Sequence, residues 1–68
     1  MPTIGTKYRA ITTDQEFILE RIVDRQGGKK LKDPIYRFRY TNRNNEEFTC
    51  YLKDVIRSLD FGSWVEIK

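Results

Sequence analysis

Apolar and polar residues alternate with a period of two in the middle of the chain, which is the spacing of a β-strand with one buried face. The clearest segment is "IYRFRYT", residues 35–41, in which aromatic rings alternate with arginines. It is followed by the turn-forming "NRNN" and then by "EEFTCYL", residues 46–52, which alternates again. The two alternating segments therefore predict a β-hairpin.

Two shorter segments near the ends of the chain predict strands as well. They are "GTKYRAIT", residues 5–12, and "SWVEIK", residues 63–68. Between the hairpin and the last strand, "LKDVIRSLDFG" has apolar residues at the i, i+3, i+4, i+7 spacing of one helix face, and Gly62 suits the end of a helix. The residues of that face are Leu52, Val55, Ile56 and Leu59.

Residues 14–25 allow two predictions. As a helix, the segment would begin with Thr13 as N-cap, Glu16 would complete a capping box, and Gly27 would end it. As a strand, it would use its β-branched residues, and the glycine pair after it would suit a connection between strands. The β-branched residues are Ile18, Ile22 and Val23. We favour the strand and keep the helix as the alternative.

The segment "GGKKLKDP", residues 27–34, predicts a loop. Gly27 and Gly28 free the backbone, and Pro34 forces an extended conformation on Asp33. We therefore expect the three lysines of this segment to lie on a surface loop that leads into the central strand.

The predicted order is strand, long strand, basic loop, strand, tight turn, strand, short helical turn and last strand. This order predicts a mainly β fold, an SH3-like small barrel of about five strands with one helical turn before the last. The length of 68 residues allows one small domain, residues 1–68. If residues 14–25 are helical, the fold becomes a small α+β domain instead.

In this pattern the chain resembles the short SH3-like proteins encoded by bacteriophages and prophages. The resemblance rests on "GTKYRAI", "EFILERIVD", "YRFRYTNRNNEEF" and the "G-x-W-x-x-I" ending in "FGSWVEI". It covers most of the chain as a pattern of core positions and brings no catalytic or ligand-binding motif. The basic segment "GGKKLKDP" is not part of the shared pattern. The resemblance implies a phage-encoded protein that works inside a bacterial host cell.

The composition excludes several kinds of chemistry. There is no histidine, so a histidine-based triad, proton shuttle or metal site cannot form, and the single cysteine, Cys50, cannot form an internal disulfide. The adjacent acids Glu46 and Glu47 would point to opposite faces of a strand, so they do not form a carboxylate pair. We therefore expect no enzyme activity, no cofactor and no metal. Because no apolar run approaches the roughly 20 residues of a membrane span, and "MPTIG" does not resemble a signal peptide, we expect a cytoplasmic protein.

Charge is distributed unevenly. The whole chain carries +3, whereas residues 25–43 hold seven basic residues against one acid, a net charge of +6. Such asymmetry indicates an electropositive surface for an anionic partner. The residues that we expect to form this basic face are Lys29, Lys30, Lys32, Arg37, Arg39 and Arg43.

Two functions use this basic face. The first, which we favour, is a non-enzymatic interaction protein that binds an acidic surface of a host protein and modulates that protein. The second is a nucleic-acid-binding small barrel that uses the same cations on phosphates. For the rings of Tyr36, Phe38 and Tyr40 we expect a place in the core rather than a platform for bases, because small β domains need such residues inside.

Overall fold

The computed structural model describes residues 2–67. This part of the chain forms five strands and one helix. In chain order they are β1 (Lys7–Ala10), β2 (Glu16–Gln26), β3 (Lys29–Tyr40), β4 (Glu47–Tyr51), α1 (Leu52–Asp60) and β5 (Trp64–Ile67). The expected mainly β fold, with five strands and one short helix before the last strand, is confirmed.

The α+β alternative is wrong, because the segment that it made helical is the strand β2. This strand pairs antiparallel with β1 on one side and with β3 on the other. Phe17, for example, lies opposite Tyr8 on β1 and opposite Tyr40 on β3. A strand with partners on both sides satisfies its backbone groups along its length, and β-branched residues pack well on such a surface.

The predicted loop over residues 27–34 is also wrong. Gly27 and Gly28 alone make the turn, with φ angles of 60° and 80°. A two-residue hairpin turn of type I′ needs positive φ at both central positions, which glycine adopts without strain. The two strands pair directly after this turn, with Lys29 opposite Gln26. Lys29, Lys30 and Lys32 therefore lie on β3.

The long β2–β3 hairpin is irregular at two places. Near Glu20, β2 advances two residues while β3 advances one, which is the pattern of a β-bulge. Further out, β2 advances two residues from Val23 while β3 advances five, from Ile35 back to Lys30. Pro34 lies within this second stretch, where its missing N–H interrupts no ladder bond.

The sheet has the strand order β4-β3-β2-β1-β5 and is not closed, since the edge strands β4 and β5 do not pair with each other within residues 2–67. In a flat sheet, the four strand spacings between them would separate these edges by about 19 Å. The ring centroids of Phe48 on β4 and Trp64 on β5 are only 6.1 Å apart. The sheet therefore curls over its own inner face, and α1 contacts both edge strands.

The core fills the inside of this curl with aromatic rings. The buried residues of the core cluster are Tyr8, Phe17, Leu19, Tyr36, Phe38 and Val55. Phe38 stacks on Phe48 with ring centroids 5.0 Å apart, and the Trp64 ring lies 4.7 Å from that of Phe17. The helix begins and ends as predicted, but Ile56 of its predicted apolar face remains 40% exposed. A narrow stripe of the helix, centred on Val55, thus covers the core.

Candidate partner-binding surface

The surface of interest is the outer face of β2 and β3, opposite the aromatic core. Along this face three cross-strand pairs follow one another. They are Arg21 with Arg37, Val23 with Ile35, and Arg25 with Lys30. Because successive pairs are two residues apart on β2, their side chains share a face and span about 13 Å. We call the two cationic pairs, Arg21–Arg37 and Arg25–Lys30, the cation ladder.

Directly opposed like charges are unfavourable in a sheet, because facing side chains lie only about 5 Å apart. The cation ladder contains two such pairs. Within residues 2–67 none of its four side chains makes an ion pair. An anion seated between the cations would remove the repulsion and add charge-assisted hydrogen bonds from the guanidinium groups. The arrangement is therefore suited to an anionic ligand.

Arg39 lies one rung before the ladder and is already neutralised. Its Nη2 donates to the Glu20 carboxylate at 2.9 Å and to the Glu47 carboxylate at 3.0 Å. The hydrogen bond from Arg39 lowers the pKa of Glu20, and the Glu20 carboxylate in turn raises the pKa of Arg39. Since one guanidinium serves two carboxylates, this group carries a net negative charge and does not extend the basic face.

Arg43 is occupied as well. It lies in the turn between β3 and β4, where its guanidinium is 3.4 Å from the Glu46 carboxylate. The same guanidinium carbon is 5.2 Å from the centroid of the Tyr40 ring, within the range of a cation–π contact. Arg43 thus supports the turn.

The outer end of the hairpin projects from the sheet as a two-stranded arm, which we define as residues 24–33. Pairing of β3 with β4 ends at Ile35, and β1 reaches no further along β2 than Ile18, so the arm pairs only with itself. Every arm residue except Leu31 is exposed. The arm holds four cations, Arg25, Lys29, Lys30 and Lys32, against two acids, Asp24 and Asp33.

The structure therefore divides the six expected site residues. Arg37 and Lys30 belong to the ladder, Lys29 and Lys32 lie on the arm beside it, and Arg39 and Arg43 are held by glutamates. Sequence reasoning missed Arg21 and Arg25 as site residues. Arg25 was visible only as part of the basic run. The partnership of Arg21 with Arg37 depends on the bulge, which carries no signal in the sequence.

The aromatic residues of β3 are not a platform for bases. Tyr36 and Phe38 are buried, and the Tyr40 ring packs at 6.0 Å from that of Phe17. An apolar row nevertheless crosses the outer face between the cationic pairs. It continues the Val23–Ile35 pair onto β4, where Ile35 lies opposite Tyr51, which is 46% exposed.

A cavity of about 260 Å³ adjoins the end of this apolar row. Its lining residues are Ile35, Thr49, Cys50, Tyr51 and Asp54. Burial, and secondarily the charge of Asp54, raises the pKa of the Cys50 thiol to about 11. The thiol is therefore protonated at neutral pH and is a poor nucleophile. No cluster of acidic or cysteine side chains able to hold a metal ion is found between Pro2 and Ile67.

Comparison of the chain with protein-family models, curated proteins and solved structures finds no match. Among the described residues no helix has the length and apolar character to cross a membrane. The function has to be inferred from the surface itself.

Proposed function

We propose that this protein is a non-enzymatic binding module whose cation ladder and arm bind an acidic surface of another protein. The observation that carries the proposal is the pair of unneutralised cationic rungs with an apolar rung between them. Protein interfaces combine an apolar centre with a polar rim, and arginine and tyrosine are enriched in them. Val23, Ile35 and Tyr51 supply such a centre, and the cations supply the rim.

The resemblance to phage- and prophage-encoded SH3-like proteins makes a bacterial host protein the expected partner. Such a partner would meet several cations at once. Exposed charges of this kind steer association and set its specificity more than they add affinity. Binding would then modulate the host protein by occupying its acidic surface, in the cytoplasm where both proteins reside.

Nucleic acid is the second candidate, and the shape of the arm favours it. A two-stranded β-ribbon fits the major groove of duplex DNA, and the arm is such a ribbon with four cations. Two features weigh against it. The rings of β3 belong to the core or pack against it. In addition, an apolar row separates the two cationic rungs, and a phosphate backbone has no apolar group to contact it.

The test uses Arg21→Glu with Arg37→Glu, which reverses one rung of the ladder. Tagged wild type and variant are used to capture proteins from host lysate, with and without nuclease. The variant should retain less than one tenth of the specifically captured protein, which corresponds to about 1.4 kcal/mol. The matched control is Lys7→Glu with Arg57→Glu, which changes the net charge equally at exposed positions away from the ladder and should bind as wild type.

A salt titration with random duplex DNA separates the two candidates. Phosphate contacts produce a steep linear fall of log affinity with log salt. A protein partner predicts nuclease-resistant capture and weak DNA binding. Capture that disappears with nuclease, together with a steep salt dependence, would establish the nucleic-acid function. Equal capture by the ladder variant and its control would show that the ladder is ordinary solvated surface.

A further inference from the structure

The strand β4 lies at one edge of the open sheet, and its backbone groups show which residues are free to pair. The Tyr40 N–H donates to the Glu46 carbonyl at 2.8 Å, so these two residues form a hydrogen-bonded pair. In an antiparallel ladder such pairs alternate with pairs whose backbone groups point away. The N–H and C=O groups of Glu47 and Thr49 therefore point outward, at an edge that no described strand covers.

The cavity lies along the same edge. Three of its five lining residues are the last three residues of β4, Thr49–Tyr51. Ile35 and the Tyr51 ring form an apolar wall of the cavity, whereas Thr49 and Asp54 form a polar wall. The Cys50 thiol between them is neutral at physiological pH. A cavity beside a free strand edge is the arrangement in which an added strand gains affinity from main-chain bonds and specificity from a side-chain pocket.

Charge identifies the chemistry of the added strand. Thr49 lies opposite Arg37, which lies opposite Arg21, so one row runs from the free edge to the ladder. A residue added next to Thr49 would lie about 10 Å from the Arg37 backbone. The long guanidinium side chain can reach it across the short threonine. Since no carboxylate of residues 2–67 pairs with Arg37, an acidic side chain is the complementary choice there.

We propose that an extended acidic segment of the protein partner adds to β4 as a sixth strand, with a carboxylate at the Thr49–Arg37 row and an apolar side chain in the cavity. This inference rests on the proposed function and specifies how the partner binds. The added strand would extend the sheet. Its carboxylate would lie next to Arg37 and reduce the repulsion between Arg37 and Arg21.

The probe is the blocked peptide Thr-Val-Thr-Glu-Thr-Val-Thr, titrated by NMR at low salt. Its valines lie two residues from the central glutamate, so they share the glutamate's face and one of them lies next to Tyr51 in either strand direction. Thr49→Pro removes the outward N–H while leaving the β3–β4 ladder intact, because proline is tolerated where the N–H of an edge strand faces solvent. Thr49→Val is the matched control, since it keeps the N–H and the β-branched shape. We expect saturable binding to wild type and Thr49→Val, at least tenfold weaker binding to Thr49→Pro, and slowed exchange of the Thr49 amide on binding.

A second measurement leaves the protein unchanged and serves if Thr49→Pro does not fold. The same peptide with both valines N-methylated lacks two of the donors that face β4, because each valine lies two residues from the glutamate opposite Thr49 and has the same backbone orientation. It should bind at least tenfold more weakly than the parent peptide. Equal binding of both peptides, equal binding to both Thr49 variants, or no saturable binding would overturn strand addition.

The failure of this inference is distinguishable from that of the proposed function. If Arg21→Glu with Arg37→Glu abolishes peptide binding or lysate capture while Thr49→Pro does not, the ladder binds acidic protein without strand addition. If neither substitution affects either measurement, both proposals fall. Tighter binding of a 20-base-pair duplex than of the peptide, unaffected by Thr49→Pro, would overturn the protein partner in favour of nucleic acid.

Discussion

The two ends of the β2–β3 hairpin have the same strands and the same antiparallel pairing, but different surroundings. At the inner end Phe17 and Phe38 lie on the inner face, with ring centroids 5.5 Å apart, and both are buried. At the outer end the arm pairs only with itself, and Arg25 and Lys30 face each other in solvent. Burial of the rings stabilises the inner end, whereas the outer end brings like charges together.

This difference shows that pairing and packing contribute separately. An isolated two-stranded ribbon is marginally stable in water, and a third strand or a covering layer is needed for independent stability. The inner end has both, from β1, β4 and α1. The arm has neither, so it depends on its glycine turn and on its connection to the sheet. A region of this kind suits binding, because a partner can supply the missing layer and the missing negative charge.

The largest expected effect separates the two ends by packing. Phe38→Ala should lower the free energy of unfolding by about 3–5 kcal/mol, because the ring is 0% exposed and its removal leaves a cavity among other rings. Leu31→Ala in the arm should cost about 1 kcal/mol or less, since it lies outside the core. Urea denaturation followed by tryptophan fluorescence measures both, with Trp64 as the reporter.

Comparable losses for the two variants would show that the arm is packed as tightly as the body. A loss at Phe38 no larger than that of Arg37→Ala would contradict the assignment of the two faces of β3. In that case the rings of this strand would again be candidates for a binding platform.

A smaller effect distinguishes the two neighbouring arginines of β3. Arg37→Glu converts a repulsive pair with Arg21 into an attractive one, so it should raise stability by about 0.2–1 kcal/mol. Arg39→Glu should lower the melting temperature instead, because it places a third carboxylate between Glu20 and Glu47. Thermal denaturation at low salt measures the difference, and 1 M salt should shrink it.

If Arg37→Glu destabilises as much as Arg39→Glu, then Arg37 has a carboxylate partner of its own and the ladder is not repulsive. The double substitution Arg39→Gln with Glu20→Gln tests whether Arg39 stabilises the fold through its ion pair with Glu20. It should be milder than Arg39→Glu alone, because it removes the ion pair without leaving opposed like charges.

A third effect, confined to alkaline pH, is a dependence of stability on the protonation of Cys50. Burial raises the pKa of the thiol from its ordinary 9.0 to about 11, so the folded state keeps its proton after the unfolded state has lost it. Stability from this group is thus fully present below pH 9 and is lost as the pH rises towards 11. Wild type should lose stability relative to Cys50→Ala over that window.

The comparison with Cys50→Ala separates the thiol from Tyr8, whose pKa is raised by burial. Parallel curves for the two proteins would show that the thiol is as solvated in the folded state as in the unfolded one. The cavity beside β4 would then be open to water at Cys50, which would weaken its role as an apolar pocket.

Much of the fold could be predicted from local patterns in the sequence. The alternation in "IYRFRYT" and "EEFTCYL" predicted β3 and β4, the asparagines predicted the turn, and Asn44 and Asn45 do adopt positive φ angles of 38° and 55°. The spacing around Val55 predicted α1, and Gly62 follows it with φ of 76°. These features depend on neighbours along the chain, so the sequence alone determined them.

The tertiary structure decided which residues of neighbouring strands lie opposite each other. A bulge near Glu20, which has no local signal, sets Arg21 opposite Arg37 and creates the first rung of the ladder. The hydrogen bond between Arg39 and Glu20 joins residues 19 positions apart, so one cation of the basic run is neutralised in the fold while its neighbour Arg37 is not. The net charge of a segment can be counted from its sequence. Whether a given cation is free to bind a partner depends on which carboxylates the pairing of strands brings within hydrogen-bond distance of it, and only the folded sheet determines that.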